Sequence, residues 1–149
     1  MKLKLSLTAT PTAKKAFPKY SDWKADITSV ASSVISVELP DITSSEVSII
    51  FQSDNELLEL NKRILDHDYY TDIITFELEH TDTRTETEVY ISLDRATENA
   101  ERFSSDLRSE VLRLVIHGLL HVAGYSDKSP SAKKRMQKRE RFFLHEQTD

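Results

Sequence analysis

The stretch LRLVIHGLLHVAGYSD, from Leu112 to Asp127, sets two histidines four residues apart in an otherwise apolar run. Residues i and i+4 share one face of a helix, so His117 and His121 project together from a segment that the core must surround. Buried imidazoles need partners. A divalent metal is an economical one, because two neutral ring nitrogens at this spacing span two corners of a coordination tetrahedron. The plainer alternative is a pair of core histidines bonded to backbone carbonyls, with Asp127 in an ordinary polar turn.

The only two glycines of the chain both lie here. Gly124 follows the apolar run where a left-handed residue ends a helix at little steric cost, and the reversal would bring Asp127 back toward the histidines as a third ligand. Gly118 stands where H-E-x-x-H zinc proteases carry their general-base glutamate. A glycine cannot do that work, which weighs against peptide hydrolysis. An apolar helix, a glycine stop and a nearby carboxylate together favour the metal site.

Composition narrows the chemistry. With 149 residues the chain fits a single domain over 1–149 whose core needs no metal or disulfide staple. There is no cysteine, so thiolate zinc sites and thiol nucleophiles are excluded and any metal has only nitrogen and oxygen ligands. No apolar run approaches the roughly 20 residues that span a bilayer, and the first residues lack a signal-peptide pattern. The expectation is a soluble cytoplasmic protein.

The net charge of −5 alone argues against a nucleic-acid partner, but its distribution does not. From Lys128 to Arg141 seven basic residues face one acidic residue, Glu140, a local surplus of +6 that leaves −11 elsewhere. Such a patch beside a metal suits a phosphate backbone, although a basic terminal helix is often only a solvated face.

Outward from the histidines, the pattern predicts about four strands and five or so helices, with the metal on a central buried helix. Leu3, Leu5 and Leu7 alternate as in a half-buried strand. A polar linker with Pro11 and Pro18 leads to a helix capped by Ser21 and carrying Trp23, Ile27, Val30 and Val34. Val47 to Phe51 reads as a strand, and Asp54 as the cap of a helix with Leu57, Leu58, Asn61 and Ile64. After the loop LDHDYY come a strand over 71–79, a polar connection or loop over His80 to Thr87, and a strand over Glu88 to Leu93. Asp94 is the expected cap of a helix ending at Phe103, the histidine helix starts near Asp106, and Ser129-Pro130 starts the last. On that last helix Ala132, Met136 and Phe143 align with Glu140, whose carboxylate is placed to pair with Arg113, to support a metal ligand, or to reach solvent.

HGLLHVAGYSD resembles the signature of the YbeY family of bacterial metal-dependent endoribonucleases, H-G-x-L-H-L-x-G-Y-D-H, matched at His117, Gly118, Leu120, His121, Gly124 and Tyr125. LNKRILDHDYYTDIITFELE is similar to the family's L-N…T-D-V-L-S-F block, EVYIS to its G-D-I-x-I-S strand, and Met136 with Glu140 to an M-x-x-x-E pattern. The resemblance covers the chain from about Asn55 onward. It implies an α+β fold with a small mixed β-sheet packed by helices, zinc on His117, His121 and Asp127, single-stranded ribosomal RNA and the small ribosomal subunit as partners, and a role in rRNA 3′-end maturation and ribosome quality control.

Three positions depart from the pattern: Asp127 replaces the third family histidine, Leu65 a basic loop residue, and Thr87-Glu88 a Gly-Asp pair. They read as variation within a branch carrying Leu-x-His-Asp and an aspartate third ligand. The carboxylate lowers the net charge of the site and suits Mn²⁺ or Fe²⁺ better than imidazole does, although zinc remains the first expectation. His67, near the family's basic position, is a further catalytic candidate for phosphate contact or proton transfer, alongside His117 and His121. Competing expectations are a ribosome-assembly factor whose metal is structural, a non-haem iron oxygenase built on two histidines and a carboxylate, and a metalloprotease.

Overall fold

In the computed structural model, which describes residues 1–148 with side chains through His145, six α-helices surround one four-stranded sheet. The strands are β1 (Lys2–Ala9), β2 (Ser44–Gln52), β3 (Ile73–His80) and β4 (Arg84–Ser92), ordered β1-β2-β4-β3. β1, β2 and β4 run parallel, and β3 pairs antiparallel with β4. The helices are α1 (Pro11–Ala16), α2 (Lys24–Glu38), α3 (Asp54–Leu65), α4 (Leu93–Arg102), α5 (Leu107–Val122) and α6 (Pro130–Thr148). This is the α+β fold expected of the sequence. No helix of the described residues is long and apolar enough to cross a membrane.

Strand periodicity places the core. Val47, Ile49 and Phe51 of β2 pair in register with Thr87, Val89 and Ile91 of β4, so all six point to one face, and all are buried. Ile27, Val30 and Val34 of α2 and the apolar side chains of α5 join the same cluster. α5 has ten buried residues among its sixteen, which makes it the central helix of the fold.

Several local expectations need correction. The polar segment over His80 to Thr87 is mostly paired strand, with a short turn at residues 81–83, and an inward threonine is tolerated there where its hydroxyl is hydrogen-bonded. Thr85 and Ser45 are buried and their hydroxyls lie 2.7 Å apart. The linker after β1 contains α1, capped by Thr10 with Pro11 in its first turn. Tyr20–Trp23 forms a 3₁₀ turn, and α2 starts after it without a side-chain cap from Ser21.

Two caps are displaced by one or two residues. Ser53, not Asp54, caps α3 in a capping box with Glu56, and Ser92, not Asp94, caps α4. The aspartates instead tie the two helix starts together. Asp54 accepts hydrogen bonds from the Ser92 hydroxyl and from Arg95, and Asp94 accepts one from the Asp54 backbone N–H.

Candidate metal centre

Gly118 explains why α5 can lie so near the sheet. A Cβ there would come within 2.7 Å of Thr75 Oγ1 and 3.1 Å of Ile73 Cδ1, so only a bare α-carbon permits this approach to β3. The flanking residues on the helix then stand at the edge of the sheet. His117 is half-buried, and His121 one turn later is more open, with its side chain 37% exposed.

The end of α5 brings the third donor round. Gly124 has φ +102°, its N–H donates to the His121 carbonyl, and the Tyr125 N–H donates to the Leu120 carbonyl. This is the paired-bond Schellman reversal that the sequence placed at Gly124. The Tyr125 hydroxyl donates to Glu38 of α2, which also accepts from Arg139 of α6, so the reversal is anchored on both sides.

Past the turn, Asp127 Oδ2 lies 3.6 Å from His117 Nε2 and 3.7 Å from His121 Nε2, while the two Nε2 atoms are 3.1 Å apart. Corners of a tetrahedron about 2.0–2.1 Å from its centre are roughly 3.3–3.4 Å apart, so the triangle has the size of one face of a zinc coordination shell. His117, His121 and Asp127 are therefore a group that can hold a metal ion. Burial and then the neighbouring His117, partly opposed by Asp127, hold His121 below the ordinary histidine range. A neutral imidazole is the form that ligates.

A buried polar chain stands behind His117. Its Nδ1 lies 2.8 Å from Glu140 Oε2, and because a carboxylate only accepts, Nδ1 carries the proton and Nε2 presents its lone pair to the site. The other Glu140 oxygen accepts from Arg113, which grips Glu110 through Nε and a terminal nitrogen. Asn99 donates to Glu110 and to Asp72. Burial alone would lower the pKa of Arg113, but the bonds and charges of Glu110 and Glu140 more than reverse this, and the guanidinium stays protonated.

Of the roles open to Glu140, reaching solvent is excluded, since it is only 4% exposed. Glu110, Asn99 and Asp72 went unnoticed in the sequence. Their signal was present in part: Glu110, Arg113, His117 and His121 form one polar stripe at helical spacing along an apolar helix.

These three candidate ligands open onto a cleft of about 700 Å³ bordered by β3, the end of α3 and the loop after it. His67 lies on that cleft, follows the left-handed Asp66, and stacks on Tyr69 with ring centroids 5.1 Å apart. Its Nδ1 is 3.0 Å from the Tyr69 hydroxyl. Leu65 and Lys128 also border the cleft, so its cation comes from the far wall and not from position 65. His80 pairs with Glu77 away from the centre.

Comparison with known proteins agrees with this architecture. The family model described as Endoribonuclease YbeY matches residues 10–148. Proteins named Endoribonuclease YbeY from Cytophaga hutchinsonii and Parabacteroides distasonis are 44% identical over 95 residues and 42% identical over 101 residues. Those alignments cover 64% and 68% of this chain and 66% and 70% of the relatives. A Thermotoga maritima protein solved in solution superposes with a TM-score of 0.64 at 25% identity, over 97% of this chain and 89% of the other. Since the family match takes in every strand but the first and the whole histidine helix, the chain belongs to the YbeY family.

Proposed function

We propose that the protein is a metal-dependent endoribonuclease that cleaves single-stranded RNA, acting in the cytoplasm on ribosomal RNA 3′ ends and in quality control of the small ribosomal subunit. The observation that carries this is the convergence of His117 Nε2, His121 Nε2 and Asp127 Oδ2 at the mouth of an open cleft in a YbeY chain. Zinc fits the donor set first, with Mn²⁺ or Fe²⁺ favoured by the carboxylate. A bound cation supplies Lewis-acid polarisation of a phosphoryl oxygen and neutralises charge developing on it.

The chain's own residues prepare the site. Glu140 fixes the His117 tautomer and orients the ring, and the Arg113–Glu110 pair holds Glu140 in place. Asp127 would bring one negative charge to a bound cation, lowering the net charge of the centre relative to a third histidine. Lys128 and His67 line the cleft where an RNA phosphate would lie, and His67 takes the role of phosphate contact or proton transfer.

A purely structural cation that pins the turn is the competing account. Gly124 and Tyr125 already satisfy the Schellman bonds from the protein's own carbonyls, so the reversal has no need of one. Cleavage of a single-stranded rRNA 3′-end fragment, abolished by a chelator and by His121→Ala and restored by added Zn²⁺ only in the unaltered protein, is the expected result. Undiminished rRNA processing by His121→Ala would favour the assembly-factor account.

A further inference from the structure

A second groove leaves the metal centre on the side away from His67. A small cavity of about 80 Å³ touches His117, Asp127, Lys133 and Gln137. Beside it lies a larger cavity of about 630 Å³ between α4, α5 and α6, and Arg113, Lys133, Gln137 and Glu140 line both. The two adjoin, and together they run from His117 and Asp127 to the far end of α4.

Its charges are unevenly committed. Glu110 and Glu140 are buried and bonded to Arg113, Asn99 and His117, and Asp72 accepts from Asn99. Arg102, Lys133 and Arg141 are exposed and, among the described residues, have no ion-pair partner. Elsewhere on α6 Arg139 pairs with Glu38 and Arg135 lies over the Tyr125 ring, while Lys134 and Lys138 are exposed to solvent. Lys133, Gln137 and Arg141, spaced at i, i+4 and i+8, line the groove over about 12 Å of helix, so two uncommitted cations of α6 face it with a hydrogen-bonding amide between them.

The rim adds an aromatic. Phe103, which ends α4, is 60% exposed, the most open of the large apolar side chains of the described residues. An exposed ring beside unpaired cations matches the way single strands are held, with phosphates on the cations and an unstacked base on the ring.

We propose that this groove, from the metal centre past Lys133 to Arg102, Arg141 and Phe103, holds the single-stranded RNA that flanks the cleaved phosphate. The inference rests on the endoribonuclease reading for its link to cleavage, but binding can be measured separately. The probe is a labelled 20-nucleotide unstructured RNA, followed by fluorescence anisotropy with chelator present to block cleavage, and then by steady-state kinetics on the metal-loaded protein.

Phe103→Ala is expected to weaken binding about tenfold. Arg102→Ala with Arg141→Ala should lower the salt dependence of log K by about 0.7 per cation removed. Both should raise KM for the 20-mer while leaving kcat, and activity on a tetranucleotide too short to reach Phe103, unchanged. Poly-glutamate as a competitor should not distinguish Phe103→Ala from the unaltered protein. Binding of the 20-mer that is equal in all variants, or a Phe103→Ala loss equally large for poly-glutamate, overturns the groove as an RNA site. Groove-dependent binding without any cleavage would overturn the endoribonuclease reading and leave the groove standing.

Discussion

His117 Nδ1 and a carboxylate oxygen of Glu140 lie 2.8 Å apart, although the residues belong to different helices and only the histidine reaches the cleft. The bond decides which nitrogen faces the metal. Glu140→Gln removes the charge and lets the amide turn its N–H₂ toward Nδ1, which would favour the wrong tautomer. Metal affinity should fall about 10–100-fold, measured by competition with a chromophoric chelator. Unchanged affinity would reduce Glu140 to a packing residue.

Gly118→Ala tests the close approach of α5 to β3. The added methyl meets Thr75 Oγ1 and Ile73 Cδ1, an overpacking that costs about 1–3 kcal/mol, against a helix-propensity gain of about 1 kcal/mol. Net destabilisation is expected in urea titration. Thr75→Ala in the same chain should return part of the loss, because it removes the nearest clash.

Gly124→Ala isolates backbone strain. Nothing lies within 4 Å of a Cβ at this position, so the expected cost of about 1–2 kcal/mol comes from φ +102° alone. Asparagine, which tolerates left-handed backbone, should cost less than alanine. Metal affinity should fall with the alanine variant, since the reversal sets the position of Asp127.

Acid should weaken the start of the histidine helix. The Ser109 backbone N–H, then its side chain, hold Asp106 below its ordinary carboxylate range. A depressed folded pKa gives stability that is present above the unfolded value near 3.8 and lost as pH falls through the folded value. Asp106→Asn keeps a capping oxygen, so stability near neutral pH should change little while its decline below about pH 4 becomes shallower. Asp106→Ala should lose about 1 kcal/mol at neutral pH.

Legibility in the sequence followed the strength of the local signal. The spacing of His117 and His121, the stop at Gly124 and the carboxylate at Asp127 are short-range facts, and from them the convergence of the three side chains was legible. The first half of β4 was hidden because its inward positions, Thr85 and Thr87, are polar, and the partner of the Thr85 hydroxyl, Ser45, is distant in sequence. Asp54 and Asp94 look like caps, but each is recruited by the neighbouring helix start, leaving Ser53 and Ser92 to cap. The buried pairing of Glu110, Arg113 and Glu140 depends on how α5 and α6 pack, which single-sequence periodicity does not encode.

The most direct test of the metal centre is a paired measurement on the unaltered protein and Asp127→Ala: metal content after purification without added metal, and cleavage of single-stranded RNA. One tightly held divalent ion per chain and chelator-sensitive cleavage in the first, with both lost or greatly weakened in the second, are the expected results. Full metal content together with full cleavage in Asp127→Ala would contradict the site as assigned.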